Sequence, residues 1–172
     1  VFKVLQDLDV PLVAAVHGQA LGGGAELATF ADIPILAESA RLGFPEIRLG
    51  VFPPVAAAVL PFRIGAAHTR DLLFTGRMVD AREAVAMGLA SRVVPDAELD
   101  PVARAVARDL ASLSASSLKI LRQARRVGEM ESFRSTLQEE ECLYLGRLVK
   151  TEDAREGLRA FLAKRKPVWR HR

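Results

Sequence analysis

Two glutamates and a run of three glycines carry the chemistry this sequence can offer. Gly22-Gly23-Gly24 leads into Ala25-Glu26-Leu27-Ala28-Thr29-Phe30, a stretch of good helix formers. Glycines let a backbone approach a ligand closely. A helix N-terminus adds free N–H groups and the positive end of a dipole. Together they can hold an anion or stabilise a developing oxyanion. The run is not G-x-G-x-x-G and no Lys-Ser/Thr follows it, so neither a dinucleotide fingerprint nor a P-loop is present. A tight turn under a closely packed helix is the plainer alternative. Glu26 lies among Gly24, Ala25, Leu27 and Ala28, and Glu46 lies between Pro45 and Ile47. Carboxylates in apolar, glycine-rich surroundings have tuned proton affinities, which makes these two a candidate acid/base pair. Serving only as helix caps is the competing role.

Other reactive side chains are weaker candidates. His17 sits between an apolar run and the glycines, where a histidine more often bonds the backbone than moves a proton. His68 and His171 have no partner at metal-ligand spacing. Ser112, Ser114, Ser116 and Ser117 read as turn and cap, and no G-x-S-x-G elbow exists. Phe52-Pro53-Pro54 precedes Val55-Ala56-Ala57-Ala58. Its prolines stiffen a loop entering a helix, and Phe52 could line an acyl pocket.

The elements that must position these groups form an α/β pattern. Pro11-Leu12-Val13-Ala14-Ala15-Val16 suits a buried strand, and Ile33–Ala37 suits another, with Pro34 pushing it towards an edge or a bulge. Asp80 to Glu83 resembles a capping box, opening a helix that Gly88 closes, and residues 91–94 read as a short strand. After Pro101 the pattern is helical. Val102, Ala103, Val106, Ala107, Leu110 and Leu113 recur at helical spacing, as do Leu118, Leu121, Ala124 and Val127. Residues about 131–149 form a further helix, and Thr151 caps a last one. Two regions are therefore expected: 1–97, with the site motifs in an α/β core, and 98–172, helical. So many amphipathic faces suggest packing on another subunit.

Composition narrows the class. Among 172 residues, 50% are hydrophobic and 26% charged, which excludes disordered and fibrous chains. The lone Cys142 can form no internal disulfide and points to a reducing, cytoplasmic setting. No apolar run reaches the roughly 18 residues of a membrane span. The net charge is +3, but residues 155–172 hold seven basic side chains against Glu156 alone. That tail would suit a polyanion, or simply a solvated helix end. The opening Val1-Phe2-Lys3 shows no signal peptide and reads as the interior of a longer sequence.

The stretches Ala14–Ala28, Ala31–Ile33 and Leu42–Gly50 together resemble the enoyl-CoA hydratase/isomerase (crotonase) family. The similarity continues through Leu73–Arg77, Ala81–Ala84, Gly88–Val94 and Glu156–Lys166. It implies the C-terminal part of a spiral of ββα units, followed by helices that build a homotrimer or a hexamer made of two trimers. It implies hydration of a 2-enoyl-CoA or cyclic dienoyl-CoA with no separate cofactor, coenzyme A being part of the substrate. Glu26 and Glu46 would hold one water, and Gly23 N–H would meet the thioester oxygen. Ala20, Leu21, Gly22, Phe52, Pro53 and Pro54 would line the substrate site. Phe161 and Lys164 would touch coenzyme A, which gives the basic tail its polyanion in place of nucleic acid, with no membrane partner. The alternatives are a double-bond isomerase of the same family and a non-catalytic acyl-CoA-binding or assembly subunit. Two departures stand out. A front segment that in the family supplies the adenine site and a second oxyanion N–H is expected to be absent here. Phe52-Pro53-Pro54 replaces a glycine-rich stretch and resembles the cyclohexa-1,5-diene-carbonyl-CoA hydratase branch.

Overall fold

Apolar runs too short for helices become strands where Pro or Gly bounds them. The computed structural model describes residues 1–171. The side chains of Lys3 and residues 126–132 lie outside that description, as do Val127 of the expected helical repeat and Arg172 of the tail. β1 (Val13–Val16), β3 (Ile33–Ala37) and β6 (Arg92–Val94) form a parallel sheet in the order β1-β3-β6. β2 (Gln19–Leu21), β4 (Arg41–Gly43) and β5 (Met78–Asp80) form a second sheet, parallel between β2 and β4 and antiparallel between β4 and β5.

Pro34 does not push β3 to an edge. The strand is central, and Pro34 pairs with Ala14 of β1. On the other side the β6 pairing begins only at Ile35, while Pro34 O accepts from Ser91 N at 2.8 Å. The proline nitrogen therefore falls where no ladder bond is needed, which is where a strand tolerates it. Alternation along β3 splits the core. Leu36 joins Leu42, Phe44, Leu60, Leu72, Val79 and Leu89, all essentially inaccessible to solvent. Ile35 and Ala37 face the other way, onto Leu99 and Ala103.

The helices follow their caps. α1 (Phe2–Asp7) precedes β1, and α2 (Gly23–Phe30) starts within the glycine run. α3 (Pro54–Thr75) has Pro53 at its N-cap and Pro54 in its first turn, and it bends at Gly65, where φ is 72°. α4 (Ala81–Ala86) is capped by Asp80, whose carboxylate accepts from Glu83 N at 2.8 Å. α5 (Leu99–Ser112) lies on β1 and β3. α6 (Ala115–Gly146) is capped by Ser114 and runs unbroken where two helices were expected, because no proline lies between residues 124 and 131 and the single Gly128 does not end it. Its less exposed positions Phe133, Leu137, Glu140 and Tyr144 recur at helical spacing, and Phe133 and Leu137 pack against α3. α7 (Glu152–Leu162) is capped by Thr151.

Three ties hold the helical region to the sheets. The buried Arg122 of α6 donates to Asp32 at 3.0 Å and to the carbonyls of Leu5 and Leu8. Asp32 also accepts from Leu12 N at 2.7 Å, so one ion pair joins α1, the approach to β1 and α6. Phe30 packs between Phe2 and Phe133, with ring centroids 5.4 and 5.6 Å away. Gly157 of α7 lies against Leu49, in the 3-10 turn Pro45–Leu49 that bears Glu46. A Cβ on Gly157 would overlap the Leu49 carbonyl, which is backbone and cannot swing aside. Gly157→Ala should therefore cost about 1–3 kcal/mol through overpacking. Chemical denaturation of the variant against wild type would check this, and equal midpoints would contradict it.

Candidate active site

β2 ends at Leu21, and Gly22 turns the chain into α2 at φ 54°, ψ −123°, a backbone region essentially confined to glycine. Gly22 N donates to Gly43 O at 3.0 Å, and Gly22 O accepts from Glu26 N at 2.8 Å. This residue therefore fastens the start of α2 to the end of β4. Phe44 drops into the core beyond β4, and the 3-10 turn then presents Glu46. A Cβ on Gly22 would stand 2.5 Å from Glu46 Oε1, so the missing side chain is what admits that carboxylate.

The two carboxylates differ in their partners. Glu26 is 9% exposed, and its Oε1 accepts from Ala56 N of α3 at 2.9 Å. Burial raises its proton affinity, while the Ala56 N–H and, to a lesser degree, the backbone of Val55 oppose that. Thr29 Oγ1 holds the Glu26 carbonyl at 3.0 Å. Glu46 Oε2 is buried and has no hydrogen-bond partner among the described residues. Burial is also the main cause that raises Glu46. Its own backbone N–H opposes the rise, and the charge of Glu26 adds to it. An ionised Glu26 thus favours a protonated Glu46.

Gly23, Gly24 and Ala25 precede the first intrahelical bond of α2, so their N–H groups have no partner within the helix. The space above Gly23 and Gly24 is open. Ala20 is half-buried in β2, and Leu21 is exposed beside the turn. Phe52 follows Val51, whose N–H donates to Glu46 O at 3.2 Å, and it precedes α3, which supplies the bond to Glu26. Pro53 is buried and Pro54 half-buried. Gly22 at the start of α2, the 3-10 turn that bears Glu46 and the first turn of α3 thus meet at the two glutamates. Phe161 does not join them: it is 64% exposed on α7, and the exposed Lys164 follows that helix at φ 51°. Arg165 N→Ala160 O and Lys164 N→Phe161 O close α7 there, so a lysine holds a left-handed position that usually falls to glycine. Part of the tail's charge is engaged within the chain. Arg165 binds both oxygens of Glu156 and holds that carboxyl down at about 2.

Other groups stand apart. His17 is exposed. Among the described residues no His, Cys, Asp and Glu cluster could hold a metal, and no helix is long and apolar enough to cross a membrane. A cavity of about 550 Å³ lies elsewhere, bordered by Phe30, Val59, Arg63, Leu118 and Arg122, so cavity size does not mark this site. Sequence reasoning missed Tyr144, whose ring meets Phe52 edge-on at 5.5 Å. No local pattern could have flagged it, because its partner lies on a distant element.

Comparison with known proteins gives the family. The family model described as Enoyl-CoA hydratase/isomerase matches residues 1–172, and the chain belongs to that family. It is 42% identical over 170 residues to the cyclohexa-1,5-dienecarbonyl-CoA hydratase of Thauera aromatica, covering 99% of this chain and 66% of that protein. It is 44% identical over 167 residues to a Mycobacterium tuberculosis protein named a probable enoyl-CoA hydratase, covering 94% and 63%. The crystal structure of an enoyl-CoA hydratase from Mycobacterium avium subsp. paratuberculosis superposes with a TM-score of 0.91 at 25% identity, over 98% of this chain and 68% of that one. The chain thus spans slightly under two thirds of the length of these two curated relatives.

The raised proton affinity of Glu46 sets a sign for stability. A carboxyl raised in the folded state favours folding while protonated, below the unfolded value of 4.5, and that advantage is lost as pH rises through the folded value. Glu46→Gln should therefore melt a few degrees above wild type near pH 8, with the difference shrinking below pH about 4.5. Calorimetry across this range would check it, and a variant less stable at pH 8 would contradict it.

Proposed function

We propose that this site hydrates an α,β-unsaturated acyl thioester of coenzyme A, and dehydrates the product in reverse. The observation that carries the reading is the asymmetry of the two buried carboxylates beside an uncapped helix start. Burial raises the proton affinity of Glu26, but the Ala56 N–H opposes the rise, which suits Glu26 to the proton-accepting role. Burial, and after it the charge of Glu26, raise the proton affinity of Glu46, whose Oε2 has no hydrogen-bond partner among the described residues, which suits Glu46 to the proton-donating role. Glu26 takes a proton from water as its oxygen bonds to the β carbon. The double bond shifts its electrons towards the thioester carbonyl, and Glu46 delivers a proton to the α carbon. The oxygen that gains charge meets the Gly23 N–H at the positive end of α2, the arrangement that stabilises an oxyanion. One C–O and one C–H bond form, one π bond is lost, and the proton balance between the carboxyls resets through solvent. The step involves no net redox change, so its balance calls for no further cofactor.

Several features support coenzyme A as carrier and an oligomer as the working form. The family is named for such thioesters. Phe161, Leu158 and Leu162 leave an apolar strip exposed on α7, with the cationic Lys164 next to it. In a trimer or a pair of trimers that strip would lie against a neighbour, and Phe161 and Lys164 would reach its coenzyme A.

Incubation with a short 2-enoyl-CoA in ¹⁸O-labelled water, read by mass spectrometry, tests the reaction. Label in the hydroxyacyl product is expected. A shifted double bond without label would replace hydration with isomerisation. Glu26→Gln and Glu46→Gln should each lower kcat by about 10²–10⁴-fold, the usual contribution of a general acid or base. Near-normal rates in both variants would overturn the assignment. The pH profile of kcat/KM should be bell-shaped, its acid limb set by protonation of Glu26 and its basic limb by ionisation of Glu46. Both limbs should lie above the ordinary 4.5.

A further inference from the structure

We propose that Trp169, carried back by the segment after α7, is a positioning residue for Glu46: it holds the 3-10 turn Pro45–Leu49 so that the carboxyl stays in place beside Gly22. The proposal rests on the proton-donating role given to Glu46 above and adds the group that keeps that donor in position.

Glu46 takes its placement from its backbone. Its Oε2 has no hydrogen-bond partner among the described residues, and its Oε1 fits against Gly22 because no side chain stands there. The turn itself must therefore be held. Gly50 closes it in a left-handed conformation, φ 71°, ψ 20°, with its N–H on the carbonyls of Glu46 and Ile47. Val51 N donates to the same Glu46 carbonyl at 3.2 Å. A shift of Gly50 thus moves the Glu46 backbone directly.

The two halves of the turn have different supports. The end of α3 meets the first half: Gly76 lies against Ile47 and Arg48, and Arg48 Nε donates to Thr75 O at 3.4 Å. α7 and the segment after it meet the second half. Gly157 lies against Leu49, and at Gly50 the Asp153 carbonyl and the Trp169 ring stand 2.9 and 3.1 Å from where a Cβ would be. Between the exposed Val168 and Arg170, Trp169 is half-buried.

A segment without regular structure is ordinarily loose unless it is tied down. Here the backbone is tied on each side of the tryptophan. Glu156 binds Arg165 and accepts from Val168 N at 3.0 Å. Asp153 accepts from Arg170 N at 2.6 Å and from His171 N at 2.8 Å. Asp153 therefore meets Gly50 through its carbonyl and grips the tail through its side chain, which fixes where the Trp169 ring arrives.

Titration of Glu46 itself tests the placement without turnover. In protein carrying ¹³C at the glutamate carboxyls, the Glu46 signal is assigned by its loss in Glu46→Gln and followed by NMR against pH. Of the charged groups around the turn, Glu26 acts on Glu46 from α2, while Arg48 is bonded to α3 and Asp153 to the tail. Burial is the larger cause of the raised proton affinity, and a loosened turn admits water. In Trp169→Ala, Glu46 should therefore titrate at lower pH than in wild type, closer to 4.5, while Glu26, bonded from α3, keeps its own titration. Trp169→Leu, a milder change, should shift Glu46 in the same direction and carries the test if the alanine variant does not fold.

With a short 2-enoyl-CoA, Trp169→Ala should lower kcat about ten- to a hundredfold, as expected of a displacement of about 1 Å, with KM changed by less than about threefold. In a Glu46→Gln background the same substitution should cost less than about twofold more, because a residue acting through Glu46 then has nothing left to position. An unmoved Glu46 titration, an unchanged kcat, or an equal loss of kcat with and without the Glu46 carboxyl would overturn the proposal. A shifted Glu46 titration in a protein whose wild type hydrates no enoyl-CoA would uphold the positioning and overturn the hydration reading alone.

Discussion

The absent side chain at Gly22 is the constraint on which the rest of the site depends. The chain must leave β2, take up the first turn of α2 and stay bonded to the end of β4 within one residue. Only glycine does this without strain at φ 54°, ψ −123°. The same absence leaves room for the Glu46 carboxylate, 2.5 Å from where a Cβ would sit. A backbone requirement and a chemical one thus meet at one position. The neighbouring Gly23 precedes the first intrahelical bond of α2, and the place where its Cβ would stand is open.

Two carboxylates held out of water are a cost the fold must offset. Phe44 and Leu42, fully buried on either side of Gly43, root β4 and the 3-10 turn in the core. The first turn of α3 offsets part of the cost at Glu26 by donating a backbone N–H. Among the described residues nothing equivalent reaches Glu46 Oε2. This unequal treatment gives two chemically identical side chains different environments, the kind of difference that sets paired carboxylates apart. A site built in this way gives up stability for function.

The support for Glu46 also comes from far along the chain. Gly157 of α7 presses on Leu49, and the Trp169 ring stands 3.1 Å from where a Cβ on Gly50 would be. The tail is folded back by Asp153, which accepts from Arg170 N and His171 N. Arg122 does the corresponding task at the other end, binding α6 to α1 and to the turn after α2. The helical region is thus part of the mounting of the site as well as a candidate surface for assembly.

What the sequence by itself determined is what depends on near neighbours. The glycine run, the apolar settings of Glu26 and Glu46, the caps at Asp80, Ser114 and Thr151 and the stiff Phe52-Pro53-Pro54 entry all involve residues within a few positions of each other. Their physics is written in local types and spacing. The three-residue strands β2, β4 and β5 are too short to show a period, and Pro34 argued against the central place β3 takes. Only the tertiary structure decided which glutamate receives the Ala56 N–H, how Glu46 fits beside Gly22, and that Tyr144 stands on Phe52. Each of these is a contact between distant segments. Its geometry is set by how sheets and helices pack, and a linear pattern of residue types contains no term for that.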